Sequence, residues 1–345
     1  MFGKKLSVIS AALFALVLSA QAAEPGVDAT PDQMAALKKD YLRPASVLFA
    51  SDNPYSDAKY TLGKILFFDP RLSESKVMSC ATCHNPGLNW VDGLNKGVGN
   101  FHQQLGRKTL SLLNLAWDDL YFWDGRADSL EHQAPMVFEI PKVMNMNFAT
   151  VLERINDIAG YRTLFDAAFP GEKDPVTRDN VGKALAIFER KIVSGMAPFD
   201  RWIAGDESAI SDQSKRGFVL FNKKANCAAC HSGWNFSDGS FHDTGLNDDD
   251  IGRGKFLPDM VLMQHAFKTP GLRNIAGRAP YMHDGSRKTL EEVVDFYNDG
   301  FAKRPSLASE IKPLHLTDDE KKDLVSFLET LTSVDDPVTL PMLPQ

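Results

Sequence analysis

Apolar positions recur at helical spacing in several stretches of the chain. A helix is predicted over Pro175–Lys191, where the run VGKALAIFER keeps one apolar face, and others over Thr150–Phe169 and Leu290–Tyr297. Leu316–Leu331 opens with Thr317, Asp318, Asp319 and Glu320, a capping-box pattern followed by an apolar helical run. Alternation at the strand period is scarce. Two long stretches rich in Gly, Asn and Asp, Asn85–Gly106 and Ser232–Asp259, read as loops, and loops of that length usually wrap a ligand or carry function. The expected class is all-α.

The first residues follow a different pattern. Lys4 and Lys5 precede the apolar run Ala11–Leu18, and Ala20-Gln21-Ala22 offers small residues for cleavage. Residues 1–22 read as a secretory signal peptide, with a mature chain starting at Ala23 and exported to the periplasm, and with no later stretch long enough to span a membrane.

All four cysteines lie in two blocks, Cys80-Ala81-Thr82-Cys83-His84 and Cys227-Ala228-Ala229-Cys230-His231. C-x-x-C-H is the attachment pattern of c-type haem: two thioethers fix the porphyrin edge, and the next residue supplies the imidazole beneath the iron. The alternatives are a four-cysteine zinc site, which gives no reason for a histidine after each pair, and two disulfides, which at this spacing belong with a βαβ pattern that the chain lacks.

The chain also repeats itself. Lys108–Glu131 aligns without a gap on Lys268–Glu291 at an offset of 160, with 10 of 24 positions identical, among them Asn114/Asn274, Tyr121/Tyr281, Asp124/Asp284 and Gly125/Gly285. The haem-block histidines are offset by 147, so the second half carries 13 extra residues before its repeat. A period this long means two duplicated domains rather than a solenoid. The expected organisation is a signal peptide at 1–22, a cytochrome c-like domain at 23–195 and a second at 196–345, each wrapped on its own haem.

Composition narrows the choice further. The 345 residues carry 38 Lys+Arg against 45 Asp+Glu, a net charge of −7 that becomes −9 once Lys4 and Lys5 are removed. An acidic chain is a poor binder of nucleic acid or anionic membrane.

Two C-x-x-C-H domains, together with "YFWDGRA" at 121–127 and "APYMHDGS" at 279–286, resemble the bacterial di-haem cytochrome c peroxidase/MauG superfamily over nearly the whole mature chain. The resemblance implies two covalent haem c groups, with His84 and His231 as proximal ligands. It implies that Trp123, which falls opposite His283 in the repeat, relays charge between the haems. In family peroxidases the sixth ligand of the C-terminal haem is a Met; in the MauG branch it is a Tyr. Tyr297, 14 residues beyond His283, occupies that place, and no Met occurs from Glu291 through Gly300. A phenolate lowers the iron potential and suits a site that holds an oxidising equivalent, whereas a thioether raises it. Met260, Met263, Met282 and His265 are competing ligands.

On the distal side of the N-terminal haem, the resemblance makes Gln133, Pro135 and Glu139 counterparts of the family's Gln, Pro and Glu, although the interval from Pro to Glu is shorter here. His102 is a loop histidine near the place where resting family peroxidases hold a removable distal ligand. The family also binds calcium between its haems through an Asn; here Lys108 stands at that position, and an ammonium has no lone pair to give. Carbonyls at Arg278 and Pro280 remain, with Lys108 itself a candidate for the cation's place.

The implied function is a MauG-like enzyme that uses hydrogen peroxide to reach a bis-ferryl state and oxidises tryptophan on a partner protein, with the shorter members associated with methanobactin and copper-binding proteins as the nearer analogy. The alternative is a peroxidase that reduces hydrogen peroxide to water with electrons from a small cytochrome c. A plain electron carrier is a third reading. Trp90, Trp117, Trp202 and Trp234 are the remaining tryptophans through which charge could leave.

Overall fold

The computed structural model describes residues 29–345, so the expected signal segment lies outside the described residues. Among the described residues there are eleven α-helices, and the only sheet is the two-residue pair β1 (Phe241–His242) and β2 (Phe267–Lys268). No described helix is long and apolar enough to cross a membrane.

Two helical cores form. The first gathers α2 (Asp57–Phe68), α4 (Leu130–Glu139), α5 (Phe148–Asn156), α6 (Ala159–Ala168) and α7 (Arg178–Arg190) around Leu62, Phe67, Leu185 and Phe188. The second gathers α8 (Pro198–Ile203), α9 (Asp212–Asn222), α10 (Leu290–Asp299) and α11 (Asp318–Glu329) around Phe199, Phe218, Phe236 and Phe327. Each large apolar side chain withdrawn from water contributes roughly 1.5–3 kcal/mol. The one-turn helix α3 (Cys80–Cys83) and the turn Cys227–Ala229 present the two cysteine blocks.

The duplication is visible in the packing. Gly63 of α2 lies against the Ala184 carbonyl of α7, and Gly217 of α9 lies against the Asp323 carbonyl of α11; a Cβ at either glycine would sit about 2 Å from that oxygen. The helices cross there because no side chain intervenes. The same two crossings pair Phe188 with Phe327, so α7 and α11 correspond at an offset of 139 residues.

The termini exchange sides. α1 (Pro31–Lys39) and Tyr41 pack on the second core, although they precede the first cysteine block. At the other end, Val338 and Leu343 pack on the first core, and the Gln345 carbonyl accepts from Gly160 N at 3.0 Å.

The helix expected over Thr150–Phe169 is two helices, α5 and α6. Ile158, in extended conformation (φ −102°, ψ 101°), breaks the run. Val151 and Ile155 of α5 and Tyr161 and Phe165 of α6 all pack into the first core.

Candidate haem-binding sites and the path between them

Each cysteine block ends in a short turn that aims its histidine. His84 N–H donates to the Cys80 carbonyl and His231 N–H to the Cys227 carbonyl, both at 2.9 Å. The loop that follows folds back over the ring: His84 Nδ1 donates to the Trp90 carbonyl at 3.2 Å and His231 Nδ1 to the Phe236 carbonyl at 2.8 Å. Burial holds both imidazoles neutral by lowering their pKa. A neutral ring that donates from Nδ1 keeps its lone pair on Nε2, which is the form a metal takes.

The four thiols are unpaired, so the disulfide alternative fails. They do not assemble a four-cysteine zinc site either. The only group of three candidate ligands among the described residues is Cys230, Asp238 and His242, in which His242 is already bound to Asp238 at 2.7 Å.

Around the second block lies a cavity of about 240 Å³. Cys227, Cys230 and His231 line it, and α10 contributes Val293, Val294 and Tyr297. Burial pushes the Tyr297 phenol pKa upward, and the neighbouring Cys227 and Cys230 push the same way, with a Thr244 hydrogen bond opposing them. Only a cation at the phenol oxygen would favour its ionised form in such a place. Of the competing ligands, Met282 lines the cavity; Met260 is exposed, and His265 Nδ1 is held 3.1 Å from the Asp250 carbonyl. An apolar slot with two thiols, an imidazole lone pair and a buried phenol fits a c-type haem with Tyr297 as its second axial donor.

The first block has the same scaffold and different chemistry. α4 and α10 are both ten residues long and lie 160 positions apart, so Val137 corresponds to Tyr297 and Gln133 to Val293. Valine has no donor atom, so α4 would offer a haem on the first block no ligand at this position. Gln133 is half-buried on α4, at the position whose counterpart lines the second cavity. Pro135 is buried against Gly182 of α7. Glu139, the expected distal acid, is exposed and its carboxylate accepts from Arg178 at 2.7 Å; its counterpart Asp299 is exposed at the end of α10. His102 is an exposed residue of a short turn, its N–H bound to the Gly99 carbonyl.

A buried acid that the sequence reading passed over is Glu189. It corresponds to Leu328, which lines the second cavity, and burial pushes its carboxyl up to about 8. Only the helix crossing shows that a carboxyl stands where the other half has leucine.

Between the sites, the repeat closes on itself. Lys108 N–H donates to the His283 carbonyl at 2.7 Å, and Lys268 N–H donates to the Trp123 carbonyl at 2.8 Å, so equivalent residues exchange equivalent bonds across the two halves. Trp123 Nε1 donates to the Lys108 carbonyl at 2.8 Å. Its ring meets His283 and Phe267 edge-on, and the latter two are stacked with centroids 3.6 Å apart. Trp123, Phe267 and His283 all line the second cavity.

The comparisons agree with this anatomy. A family model described as di-haem cytochrome c peroxidase matches residues 57–208, and one described as cytochrome c matches 214–332. The methylamine utilization protein MauG of Methylorubrum extorquens is 51% identical over 98% of this chain and 96% of its own, and that of Methylophilus methylotrophus is 45% identical over 89% and 92%. The cytochrome c551 peroxidase of Pseudomonas aeruginosa is 32% identical over 96% and 94%. Among solved structures, a MauG-like protein associated with microbial copper homeostasis matches at TM-score 0.76 with 31% identity, over 85% of this chain and 93% of that one. Identity to the methylamine utilization proteins exceeds identity to the copper-associated one, which shifts the nearer analogy from the latter to the former.

Proposed function

The chain belongs to the di-haem cytochrome c peroxidase family, and we propose that it uses hydrogen peroxide to oxidise tryptophan on a partner protein of methylamine utilisation. Export to the periplasm accords with the segment at 1–22. The observation that carries the reading is the asymmetry at one duplicated position: Tyr297 presents a phenol to the second cavity, and its counterpart Val137 has no donor atom.

When bound, the two haems would supply the redox capacity to give two electrons to each peroxide and hold the resulting oxidising equivalents. The chain supplies the rest. His84, oriented by the Trp90 carbonyl, would hold the first haem's iron. Val137, which has no donor atom, would leave that iron free for peroxide, and the Gln133 amide could orient peroxide by hydrogen bonding. His231 and Tyr297 would hold the second haem's iron, and an anionic phenolate there would favour its oxidised states. Trp123 bridges the sites as an oxidisable indole. Peroxide takes two electrons and two protons to give two waters; the electrons come from the partner's tryptophan.

A peroxidase fed by a small cytochrome c needs a reduced haem before it reacts. Mixing the fully oxidised holoprotein with peroxide in a stopped-flow spectrometer separates the two. Rapid spectral change without a reductant supports the proposal; reaction only after pre-reduction returns the protein to the peroxidase class.

A further inference from the structure

The duplication places one ion pair where it should place two. In one half, the buried Lys268 is bound to the partly buried Asp118. The counterparts, at the same offset of 160, are Lys108 and Arg278. The acid of the first pair has become a second cation. Lys108 is 8% exposed and Arg278 9%. Lys108 Nζ and Arg278 Nε have no hydrogen-bond partner, while Arg278 Nη2 is held by the Gly271 carbonyl. Both side chains line the cavity of the Cys227–Cys230 block. The nearest acid, Asp92, does not reach Lys108: it accepts from the Thr109 hydroxyl at 2.6 Å and from Leu94 N–H at 3.0 Å.

Two buried like charges facing one cavity repel unless an anion joins them. Burial presses the Lys108 pKa down to about 8, with Asp92 opposing and the Arg278 charge adding to the fall. Removing one member of the pair would be the simpler way to relieve it, and the chain keeps both.

We infer that Lys108 and Arg278 form a carboxylate receptor that binds a propionate of the haem carried by Cys227 and Cys230, and so set that haem's potential apart from the other's. This rests on the two-haem reading above. The contrast between halves gives the consequence. Around Lys268 the cation is neutralised by protein, whereas around Lys108 it is neutralised only by the cofactor. Net positive charge at a haem edge favours the reduced iron, and here it counterbalances the phenolate of Tyr297. Because the Lys108 carbonyl also holds the Trp123 indole, the same residue ties the charge of the receptor to the bridge between the sites.

The test is made on the holoprotein, with two haems first verified by intact mass. In the wild type, resonance Raman of the low-spin haem should show a propionate bending band at a hydrogen-bonded frequency. Lys108→Met should move that band toward its free position and shift the low-spin haem to a more negative potential by about a tenfold change in the reduction equilibrium, about 59 mV for one electron. Lys108→Arg should restore both. The other haem should move much less. A free-propionate band in the wild type overturns the proposal without any variant and assigns Lys108 to Asp92. An unchanged low-spin potential in a Lys108→Met protein carrying both haems overturns it as well. A wild type lacking two haems by mass would instead remove the reading on which the proposal rests.

Discussion

The indole of Trp123 and the imidazole of His283, which occupy the same position in the two halves of a duplicated chain, face each other edge-on with ring centroids 6.2 Å apart. An internal repeat brings its own equivalent residues together only near the axis that relates the halves, so the one position is represented twice at the junction. Divergence there put an oxidisable ring on one side and a ring fixed 2.9 Å from the Asp248 carboxylate on the other.

Trp123→Phe should keep both haems attached and leave peroxide binding at the His84 haem within about a few-fold of wild type, because the ring still fills the junction. Oxidation of the partner tryptophan should fall at least tenfold more than peroxide consumption does, as phenylalanine cannot be transiently oxidised. Partner-product mass spectrometry alongside peroxide consumption measures the ratio. Equal loss of both would make Trp123 a packing residue.

Tyr297→Phe removes the donor that α10 presents to the second cavity. The low-spin ferric signal in electron paramagnetic resonance should change while the His84 haem signal stays, and peroxide should no longer produce a state shared by both haems. An unaltered low-spin signal would move the ligand to Met282, the competing donor that lines the same cavity.

Val137→Met places a thioether at the position corresponding to Tyr297. The first haem should become six-coordinate and low-spin, and its reaction with peroxide should slow by at least tenfold. Glu139→Gln, by contrast, alters an exposed carboxylate paired with Arg178 and should leave peroxide reactivity within about twofold. If the Glu139 variant were the slower of the two, the correspondence of α4 with α10 would not describe the first site.

Glu189 should give the protein a pH-dependent stability. Its carboxyl is pushed up to about 8 from an ordinary value of 4.5, chiefly by burial. Between those values the unfolded chain has released a proton that the folded chain retains, so this contribution is full below about 4.5 and is lost as pH rises toward 8. The loss is on the order of a few kcal/mol. Glu189→Gln should flatten that part of the profile, seen as a melting temperature that falls less between pH 5 and 8 than in the wild type, about the window of the shift. Identical slopes in the two proteins would show that Glu189 does not titrate there.

What the sequence determined by itself was local or repetitive. The cysteine blocks fix two attachment points because both thioethers and the histidine lie within one turn of chain. The gap-free repeat from Lys108 to Glu131 and Lys268 to Glu291 fixed the duplication, and with it the pairing of Trp123 with His283. Tyr297 was within reach for the same reason, since it lies on a helix that directly follows the repeat. What the tertiary structure decided depends on which helix face meets the cavity and on contacts distant in sequence. The resemblance selected Glu139, which the structure places in solvent beside Arg178; Val137, the position that corresponds to Tyr297, has no donor atom and so leaves no chemical signature in the sequence. Glu189 needed the α2–α7 crossing to be seen as the counterpart of Leu328. The pairing of Lys108 with Arg278 needed the two halves folded against each other, because 170 residues separate them and only the junction brings their charges to one cavity.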